Sequence, residues 1–309
     1  MVKSPKRFSS LEDAKTFVQN SEQEFEKRLT LTVEKVCENK DIRLIGLSGP
    51  TCSGKTTTAK KLISKLTAQG KNVHVVSIDD FFYDREVLIA RADKDPNIEI
   101  DYDSEETIDF DALRECIAEV FSDEATQVPK YDFVLGKRVG YVTIDPDDND
   151  LFIFEGIQAI YPKVTELFHQ YNYKSVYICV ESSIDIDGTV FEPNELRLMR
   201  RIVRDYKFRG ASPEFTLYLW DSVRANEESS IFPYVSGCDY FINSTLPFEV
   251  HLLLPYLKEI LPRVPADDEH KAIAENILRK LDGIEAVSPE YLIPDSLCYE
   301  FIEKNENII

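Results

Sequence analysis

The sequence has no Cys-x-x-Cys pair, no long apolar run and no excess of basic residues. Its six cysteines are scattered over 309 residues, which argues against a zinc site or a disulfide framework and favours a reducing, cytoplasmic setting. No stretch approaches about 18 consecutive apolar residues. Residues 1–11 are basic and polar, without the apolar segment of a signal peptide. We therefore expect a cytoplasmic protein that does not span a membrane.

Basic side chains are too few to hold nucleic acid by bulk electrostatics. Lys and Arg total 36 against 56 Asp and Glu, which gives a net charge of −20 and a pI near 4.7. A surface of this sign repels nucleic-acid phosphates and anionic membranes, so we expect neither as a partner. The four histidines are dispersed and lack metal-binding spacing. The length and the 43% hydrophobic content are typical of a globular protein of one or two domains.

The pattern of apolar residues divides the chain into three regions. We assign 1–40 to an N-terminal helical extension, 41–262 to a central domain and 263–309 to an acidic, helical C-terminal tail with breaks at Pro289 and Pro294. In the central domain short apolar strands alternate with helices, which predicts a parallel α/β sheet covered on both faces. The predicted strands are 42–48, 72–78, 151–154, 175–180 and 240–242, and the predicted helices are 10–38, 55–69, 108–121, 193–206 and 248–261.

A phosphate-binding loop follows the first strand of the central domain. Residues 49–56 match G-x-x-x-x-G-K-[ST], with a predicted strand before them and a helix after them, as the motif requires. The main-chain N–H groups of such a loop and the N-terminus of the helix attract phosphate oxygens. Lys55 can reach the β- and γ-phosphates, and Thr56 can hold Mg²⁺. The sequence therefore predicts a nucleotide site.

The loop alone does not distinguish a kinase from a switch GTPase. A GTPase needs an Asn-Lys-x-Asp segment late in the chain. This sequence has only Asn39-Lys40-Asp41, which is misplaced and wrongly spaced, and a D-x-x-G match at 185–188 that is too short to be specific. The pattern favours a kinase.

Two carboxylates follow predicted strands. Asp79 comes directly after the second strand of the central domain and Glu155 after the third. Because the carboxyl ends of parallel strands face the ligand crevice, we expect both side chains near the γ-phosphate. Asp79 can there accept the proton of an acceptor hydroxyl or hold Mg²⁺, and Glu155 can be a second carboxylate near the metal. A helix N-cap is the alternative use of an aspartate at such a place.

A basic cluster at 200–210 stands out in this acidic chain. Arg197, Arg201 and Arg204 are three to four residues apart and share one face of a predicted helix. We interpret the cluster as a lid that clamps phosphates. An exposed helix paired with nearby acids is the alternative.

These motifs together resemble the uridine kinase and phosphoribulokinase family over about residues 42–245. The resemblance implies a P-loop kinase fold, α/β, with a five-stranded, mostly parallel sheet flanked by helices and an Arg-rich helical lid at about 197–235. It is similar in order and spacing to bacterial uridine-kinase-like proteins. Beside the loop, the motifs are Ile78-Asp79-Asp80-Phe81-Phe82, Tyr131-Asp132-Phe133 with Arg138, Phe154-Glu155-Gly156-Ile157, and Arg200-Arg201-x-x-Arg204-Asp205-x-x-x-Arg209-Gly210.

The resemblance also implies roles for individual residues. Asp79 is expected to be the general base on the acceptor hydroxyl, the 5′-OH in uridine, while Thr56, Asp79 and Glu155 surround Mg²⁺. The lid is expected to close over the phosphates and exclude water. Its clamping residues are expected to be Arg201, Arg204 and Arg209, and Lys55 of the loop is expected to act on the phosphates beside them. ATP is expected to bind Gly49, Pro50, Thr51, Cys52, Ser53, Gly54, Lys55, Thr56 and Thr57. The acceptor is expected to bind Tyr83, Tyr102, Asp103, Tyr131 and Arg138.

Three acceptor-side positions depart from the animal-type uridine–cytidine kinases. Gly136, Ala211 and Leu219 stand where those enzymes have a histidine, an arginine and a glutamine. Groups that hydrogen-bond a substrate discriminate strongly between acceptors, so the acceptor stays open. The leading prediction is an ATP- and Mg²⁺-dependent kinase for uridine or cytidine. The alternatives are a same-fold kinase for another nucleoside, a sugar or a pantothenate-like alcohol, and a regulatory nucleotide-binding protein without turnover. The sequence does not decide whether the terminal regions pack on the core or form a homo-oligomer.

Overall fold

A computed structural model describes residues 1–92, 104–122 and 125–303 of the chain. The strands in these residues are β1 (Val2–Ser4), β2 (Leu44–Ser48), β3 (Val73–Ser77), β4 (Thr126–Asp132), β5 (Lys137–Ile144), β6 (Leu151–Glu155), β7 (Tyr173–Cys179), β8 (Ile184–Ile186), β9 (Thr189–Phe191) and β10 (Tyr240–Asn243).

The α-helices in the same residues are α1 (Leu11–Glu38), α2 (Lys55–Ala68), α3 (Arg85–Ala92), α4 (Phe110–Val120), α5 (Pro162–Phe168), α6 (Pro193–Phe208), α7 (Pro213–Ser230), α8 (Phe232–Val235), α9 (Glu249–Ile260) and α10 (Lys271–Lys280). Short 3₁₀ turns cover Ile78–Phe81, Glu105–Thr107, Ile157–Ile160, Leu261–Arg263, Pro289–Tyr291 and Leu297–Glu300.

Five strands form one parallel sheet in the order β10-β7-β2-β6-β3. The central strand, β2, pairs in parallel with β6 on one side and β7 on the other. The outer strands β3 and β10 also pair in parallel with their neighbours. The predicted α/β fold with a five-stranded sheet is confirmed, and the sheet is parallel throughout. The carboxyl ends of β2, β3 and β6 consequently lie at one edge.

Alternate residues of the central strands supply two apolar cores. Ile45 and Ile153 belong to the core on one face, and their neighbours Leu44 and Phe152 belong to the core on the other, as the two-residue period of a strand requires. Helices α1, α2, α6, α9 and α10 contribute to the first core, and α4 and α5 to the second. Both faces are therefore covered, as predicted.

The predicted N-terminal helix is present as α1 and packs on the first core. Ser10 caps it by accepting a 3.1 Å hydrogen bond from the N–H of Asp13. Its buried stripe includes Val18, Phe25 and Leu29, which are fully covered. Burial of each such side chain contributes about 1.5–3 kcal/mol, so packing on the sheet accounts for the stability of this long helix.

Three parts of the fold differ from the sequence predictions. β1 pairs in parallel with β8, which pairs antiparallel with β9, so the first residues join a small second sheet. β4 and β5 form an antiparallel hairpin. Between 264 and 303, the described part of the predicted helical tail, the only α-helix is α10, and two 3₁₀ turns capped by the side chains of Ser288 and Ser296 follow it. Serine side chains that bond nearby main-chain N–H groups favour turns over a continuing helix.

All six cysteines are free thiols, as expected. Within the described residues no helix is long and apolar enough to cross a membrane.

Candidate active site

The phosphate-binding loop connects β2 to α2 at the carboxyl edge of the sheet. Two of its residues have left-handed backbone, Cys52 with φ +57° and Gly54 with φ +95°. A loop of this kind turns successive N–H groups towards one point and binds anions there. Ser53 Oγ and Thr58 Oγ1 are buried and have no hydrogen-bond partner among the described residues. Buried hydroxyls are normally bonded, so these groups suit phosphate oxygens.

Lys55 begins α2, and its ammonium group folds back onto the loop. Its Nζ donates hydrogen bonds to the carbonyl of Gly49 at 2.6 Å and to the next carbonyl at 3.2 Å. Burial lowers the pKa of Lys55, while the charges of Glu155, Glu300 and Asp79 act to raise it. The two carboxylates expected to act on phosphate and metal therefore lie close enough to Lys55 to influence its titration.

The ends of β3 and β6 bring Asp79 and Glu155 to the same edge. Ser77 and Glu155 are opposite each other in the parallel register, and Ser77 Oγ donates a 3.0 Å hydrogen bond to Glu155 Oε1. Asp79 lies two residues further on, in the turn Ile78–Phe81. The adjacent Asp80 has a structural task instead, because its carboxylate accepts bonds from Lys130 Nζ at 2.5 Å and from the N–H of Tyr131 at 2.9 Å.

The oxygen donors at this edge fit Mg²⁺. Thr56 exposes its side chain, and Asp79 and Glu155 are half-buried. No group of three or more His, Cys, Asp and Glu residues that could hold a metal by itself occurs in the described part of the chain. Mg²⁺ is commonly held by one or two carboxylates together with phosphate oxygens, and hard oxygen donors are what it prefers. A hydroxyl and two carboxylates are therefore suited to a Mg²⁺ ion that arrives with the nucleotide.

The basic helix α6 is attached to the loop by two buried arginines. Arg197 Nε donates to the carbonyl of Thr51 at 3.0 Å, and its guanidinium pairs with Glu227. Arg200 donates to the carbonyl of Cys52 at 3.1 Å and pairs with Glu249. Both side chains are almost completely buried. They hold the loop carbonyls of Thr51 and Cys52 in place.

The other arginines of the cluster gather around Asp205. The carboxylate of Asp205 lies 3.2 Å from Arg201 Nε, 2.7 Å from Arg204 and 3.6 Å from Arg209. Arg209 is mostly exposed, whereas Arg201 and Arg204 are largely covered. Three cations around one carboxylate leave a positive excess, which is what a phosphate clamp requires.

The hairpin β4–β5 carries part of the predicted acceptor set. Tyr131 OH donates a 3.4 Å hydrogen bond to the carbonyl of Tyr83, so the structure brings these two residues together. Arg138 donates to the carbonyl of Phe81 at 3.1 Å and to Asp109 Oδ2 at 3.0 Å; these bonds join the hairpin to the segment after β3. Two further predicted acceptor residues, Tyr102 and Asp103, lie outside the described residues.

The side chain of Arg85 packs against Gly136 at the hairpin turn. Its φ is +66°, and a Cβ added there would lie 2.7 Å from Arg85 Nε. The Arg85 guanidinium donates to the carbonyl of Phe133 at 2.9 Å. The space beside Gly136 is thus taken by the Arg85 side chain, which a larger residue at 136 would have to displace.

A cavity of about 280 Å³ opens beside the start of the loop. Its lining is mostly apolar and includes Pro50 of the loop, Tyr177 and Cys179 of β7, and Arg197 of α6; the remaining lining residues are Val180, Asn194, Phe232 and Val235. Burial raises the pKa of Tyr177 well above its usual value, so its phenol stays neutral.

Sequence reasoning gave no site role to four contributors to this edge, although Arg200 was named in the basic cluster. Arg200 shares the helix face of Arg197 three residues away, and that spacing was the available signal. Ser77 and Glu249 act through partners distant in sequence, and Glu300 reaches the loop from the far end of the chain, with its Oε2 accepting a 3.2 Å bond from the N–H of Thr57. No local pattern identifies such long-range partners.

Comparison with known proteins finds relatives in sequence and in fold. A uridine kinase of Staphylococcus aureus (strain JH9) is 30% identical over 200 residues, which is 64% of this chain and 86% of that protein. Uridine-cytidine kinase C of Dictyostelium discoideum is 26% identical over 264 residues. That match covers 83% of this chain but only 51% of the relative, so this chain spans about half the length of that relative. The solved structure of the protein YGR205w is similar to this chain with a TM-score of 0.50 and 20% sequence identity. The match covers 68% of this chain and 89% of the YGR205w chain, and it shows that the two folds are alike.

The strand, loop and helix around Lys55, together with the carboxylates that follow β3 and β6, define a P-loop kinase fold. The family description "Phosphoribulokinase / Uridine kinase family" matches residues 44–248. The chain belongs to this family.

Proposed function

We propose that this protein transfers the γ-phosphoryl group of ATP to a hydroxyl of a small molecule, in the first place the 5′-OH of a nucleoside. The observation that carries the proposal is the convergence of Lys55, Asp79 and Glu155 at one edge of the sheet, where both carboxylates influence the pKa of Lys55. A phosphate-binding cation beside two carboxylates is the arrangement that phosphoryl transfer from a nucleotide uses.

In this mechanism the loop N–H groups and Lys55 hold the phosphates of ATP. Asp79 accepts the proton of the acceptor hydroxyl, whose oxygen forms the new bond to the γ-phosphorus. The bond from that phosphorus to the β,γ-bridging oxygen breaks, and ADP leaves. Thr56, Asp79 and Glu155 would hold Mg²⁺, which would neutralise charge on the phosphates. Arg201, Arg204 and Arg209 stabilise charge on the transferred group as the lid closes.

The names of the relatives support uridine or cytidine as the acceptor. One observation favours a different alcohol: the Arg85 guanidinium occupies the space beside Gly136, where the animal-type enzymes are expected to place a base-contacting histidine. A cation at that position suits an acceptor with an anionic group, such as a pantothenate-like compound. This second candidate uses the same phosphoryl chemistry.

A coupled assay of ADP release with Mg-ATP tests both candidates. The acceptor panel contains uridine, cytidine, purine nucleosides, sugars and pantothenate. Asp79→Asn is compared with Asp111→Asn, which changes an exposed aspartate on α4. We expect one acceptor class to stimulate ADP release, Asp79→Asn to lower kcat by at least about 100-fold as expected for loss of a general base, and Asp111→Asn to match the native chain.

The pattern of results separates the hypotheses. Stimulation by pyrimidine nucleosides supports the first candidate, and stimulation by an anionic alcohol alone supports the second. ATP binding without ADP release for any acceptor would contradict the kinase proposal and favour a regulatory protein.

A further inference from the structure

The C-terminal segment Asp295–Ile302, which we name the strap, folds onto the phosphate-binding loop. Leu297, Phe301 and Ile302 are completely or almost completely buried. Leu297 packs so closely on Gly54 that a Cβ added there would lie 2.4 Å from Leu297 Cδ1. The strap therefore covers the loop at Gly54, the residue immediately before α2.

One side chain of the strap, Glu300, places its carboxylate in the expected phosphate site. Glu300 Oε2 accepts a 3.2 Å hydrogen bond from the N–H of Thr57. Thr57 is the third residue of α2, and the N–H groups of a first helical turn have no partner within the helix. Such N–H groups are the ones that a bound phosphate uses. The Glu300 carboxylate thus holds a donor of the nucleotide site.

The cations of the site also respond to Glu300. The Glu300 carboxylate holds the third N–H group of the helix that Lys55 begins. It also acts to raise the pKa of Arg204, together with Cys52 and Asp205 and against the lowering by burial. The carboxylate therefore lies among the groups expected to bind phosphate. A phosphate and a carboxylate at the same donors repel each other, so only one can stay.

Two contacts outside the phosphate site hold the strap in place. Lys61 Nζ pairs with Asp295 Oδ2 at 2.6 Å, and the Arg200 guanidinium lies 5.0 Å from the centre of the Phe301 ring. Lys55, in turn, bonds to loop carbonyls. In this closed arrangement Glu300 bonds to the N–H of Thr57 and Lys55 bonds to loop carbonyls, so these groups are hydrogen-bonded without a nucleotide.

We propose that the strap is an autoinhibitory element that competes with nucleotide, with Glu300 as the group that a nucleotide phosphate displaces. The proposal rests on the proposed function, because it requires that the loop bind a nucleotide. ATP binding moves Glu300 away from Thr57 and loosens the strap. The measured affinity for nucleotide is then lowered by the fraction of molecules in which the strap is closed.

Calorimetric titration with Mg-ADP and Mg-ATP tests the competition. Glu300→Gln and Glu300→Ala are compared with the native chain and with Glu303→Gln, which removes an exposed carboxylate three residues further on. We expect both Glu300 variants to bind nucleotide about tenfold more tightly than the native chain and Glu303→Gln to bind like it. Equal or weaker binding by the Glu300 variants would overturn the proposal that the strap competes with nucleotide. The proposal that the loop binds a nucleotide would still stand.

Hydrogen exchange measured on the native chain gives a second readout that does not depend on variants. Saturating Mg-ADP is expected to slow exchange in the loop at 52–58 and to speed it in the strap at 298–302. Slower exchange in both segments would show that the strap is a wall of the nucleotide site and would overturn the proposal. If neither the native chain nor any variant binds nucleotide, the proposed function fails and the strap proposal fails with it.

Discussion

The hydroxyl of Ser77 and the carboxylate of Glu155 join the ends of two neighbouring strands through a 3.0 Å hydrogen bond. Ser77 is the last residue of β3, two residues before Asp79, and Glu155 is the last residue of β6. The bond fixes the orientation of the Glu155 carboxylate relative to the strand that delivers Asp79. Ser77 is thus a positioning residue for the Glu155 carboxylate.

Replacement of Ser77 tests this relationship. Groups that orient metal ligands typically contribute 10–100-fold to metal affinity or activity. We expect Ser77→Ala to raise the Mg²⁺ concentration needed for half-maximal ADP release by about tenfold. Ser77→Thr keeps the hydroxyl and is expected to need the same Mg²⁺ concentration as the native chain. Steady-state kinetics over a Mg²⁺ series measure the effect. The exposed Ser64→Ala on α2 is the control, and an equal response of both alanine variants would contradict the role of Ser77.

The buried pair of Arg200 and Glu249 predicts a large stability effect. The two charges lie 2.6 Å apart and are almost completely excluded from water. Removal of one partner leaves the other charge buried and unpaired, so we expect Arg200→Met to lower the free energy of unfolding by about 3–5 kcal/mol. Urea denaturation measures this change. The double variant Arg200→Met/Glu249→Gln is expected to recover part of the loss.

A matched control for Arg200 is available at the end of α9. Arg263 pairs with Glu259 in solvent at 3.5 Å, with more than half of each side chain exposed. We expect Arg263→Met to change the free energy of unfolding by less than about 1 kcal/mol. Similar losses at both sites would show that burial of the Arg200 pair has no energetic consequence.

Glu22 on α1 predicts a pH dependence of stability. Burial raises the pKa of this carboxyl from 4.5 to about 7, although Ser296 and Lys61 act to lower it. As pH rises from 4.5 to about 7 the unfolded chain releases this proton and the folded chain retains it. The stabilisation is therefore complete below pH 4.5 and is lost as pH rises through about 7.

Glu22→Gln mimics the protonated carboxyl at every pH. We expect it to be more stable than the native chain by about 3 kcal/mol at pH 8 and by only about 1 kcal/mol at pH 5. Urea denaturation at the two pH values gives the comparison. The exposed Glu34→Gln on the same helix is expected to show no such difference, and a Glu22→Gln curve parallel to that of the native chain would disprove the shifted pKa.

Two glycines separate backbone strain from packing. Gly54 and Gly70 both have positive φ, +95° and +83°, but only Gly54 has a neighbour, Leu297, within 4 Å of an added Cβ. We expect Gly70→Ala to cost about 1 kcal/mol from backbone strain alone. Gly54→Ala is expected to cost at least about 2 kcal/mol more, because overpacking is added to strain. Thermal or urea unfolding of the two variants measures the difference, and equal costs would mean that Leu297 yields freely.

The sequence could predict the parallel sheet because each of its strands is a short apolar run bounded by turn signals. The P-loop motif and the strand ends also placed Lys55, Asp79 and Glu155 at one edge of the sheet, and their roles there stay predictions. The small sheet could not be predicted, because β1, β8 and β9 have three residues each and too little periodicity to be recognised. The contact of Glu300 with Thr57 joins residues 243 positions apart, and only the folded chain reveals it.

The order of strands in the sheet also constrains how this site can form. β2 and β3 are the first two strands of the five-stranded sheet along the chain, but they are not neighbours, because β6 lies between them. The first 150 residues contain both β2 and β3 but lack β6, the strand that pairs with each of them. Nucleation of the sheet on that side must therefore wait for Leu151–Glu155, since non-local pairing comes only after a long loop has closed. The strand that ends in Glu155 is thus also the one that links the strand before Lys55 to the strand before Asp79.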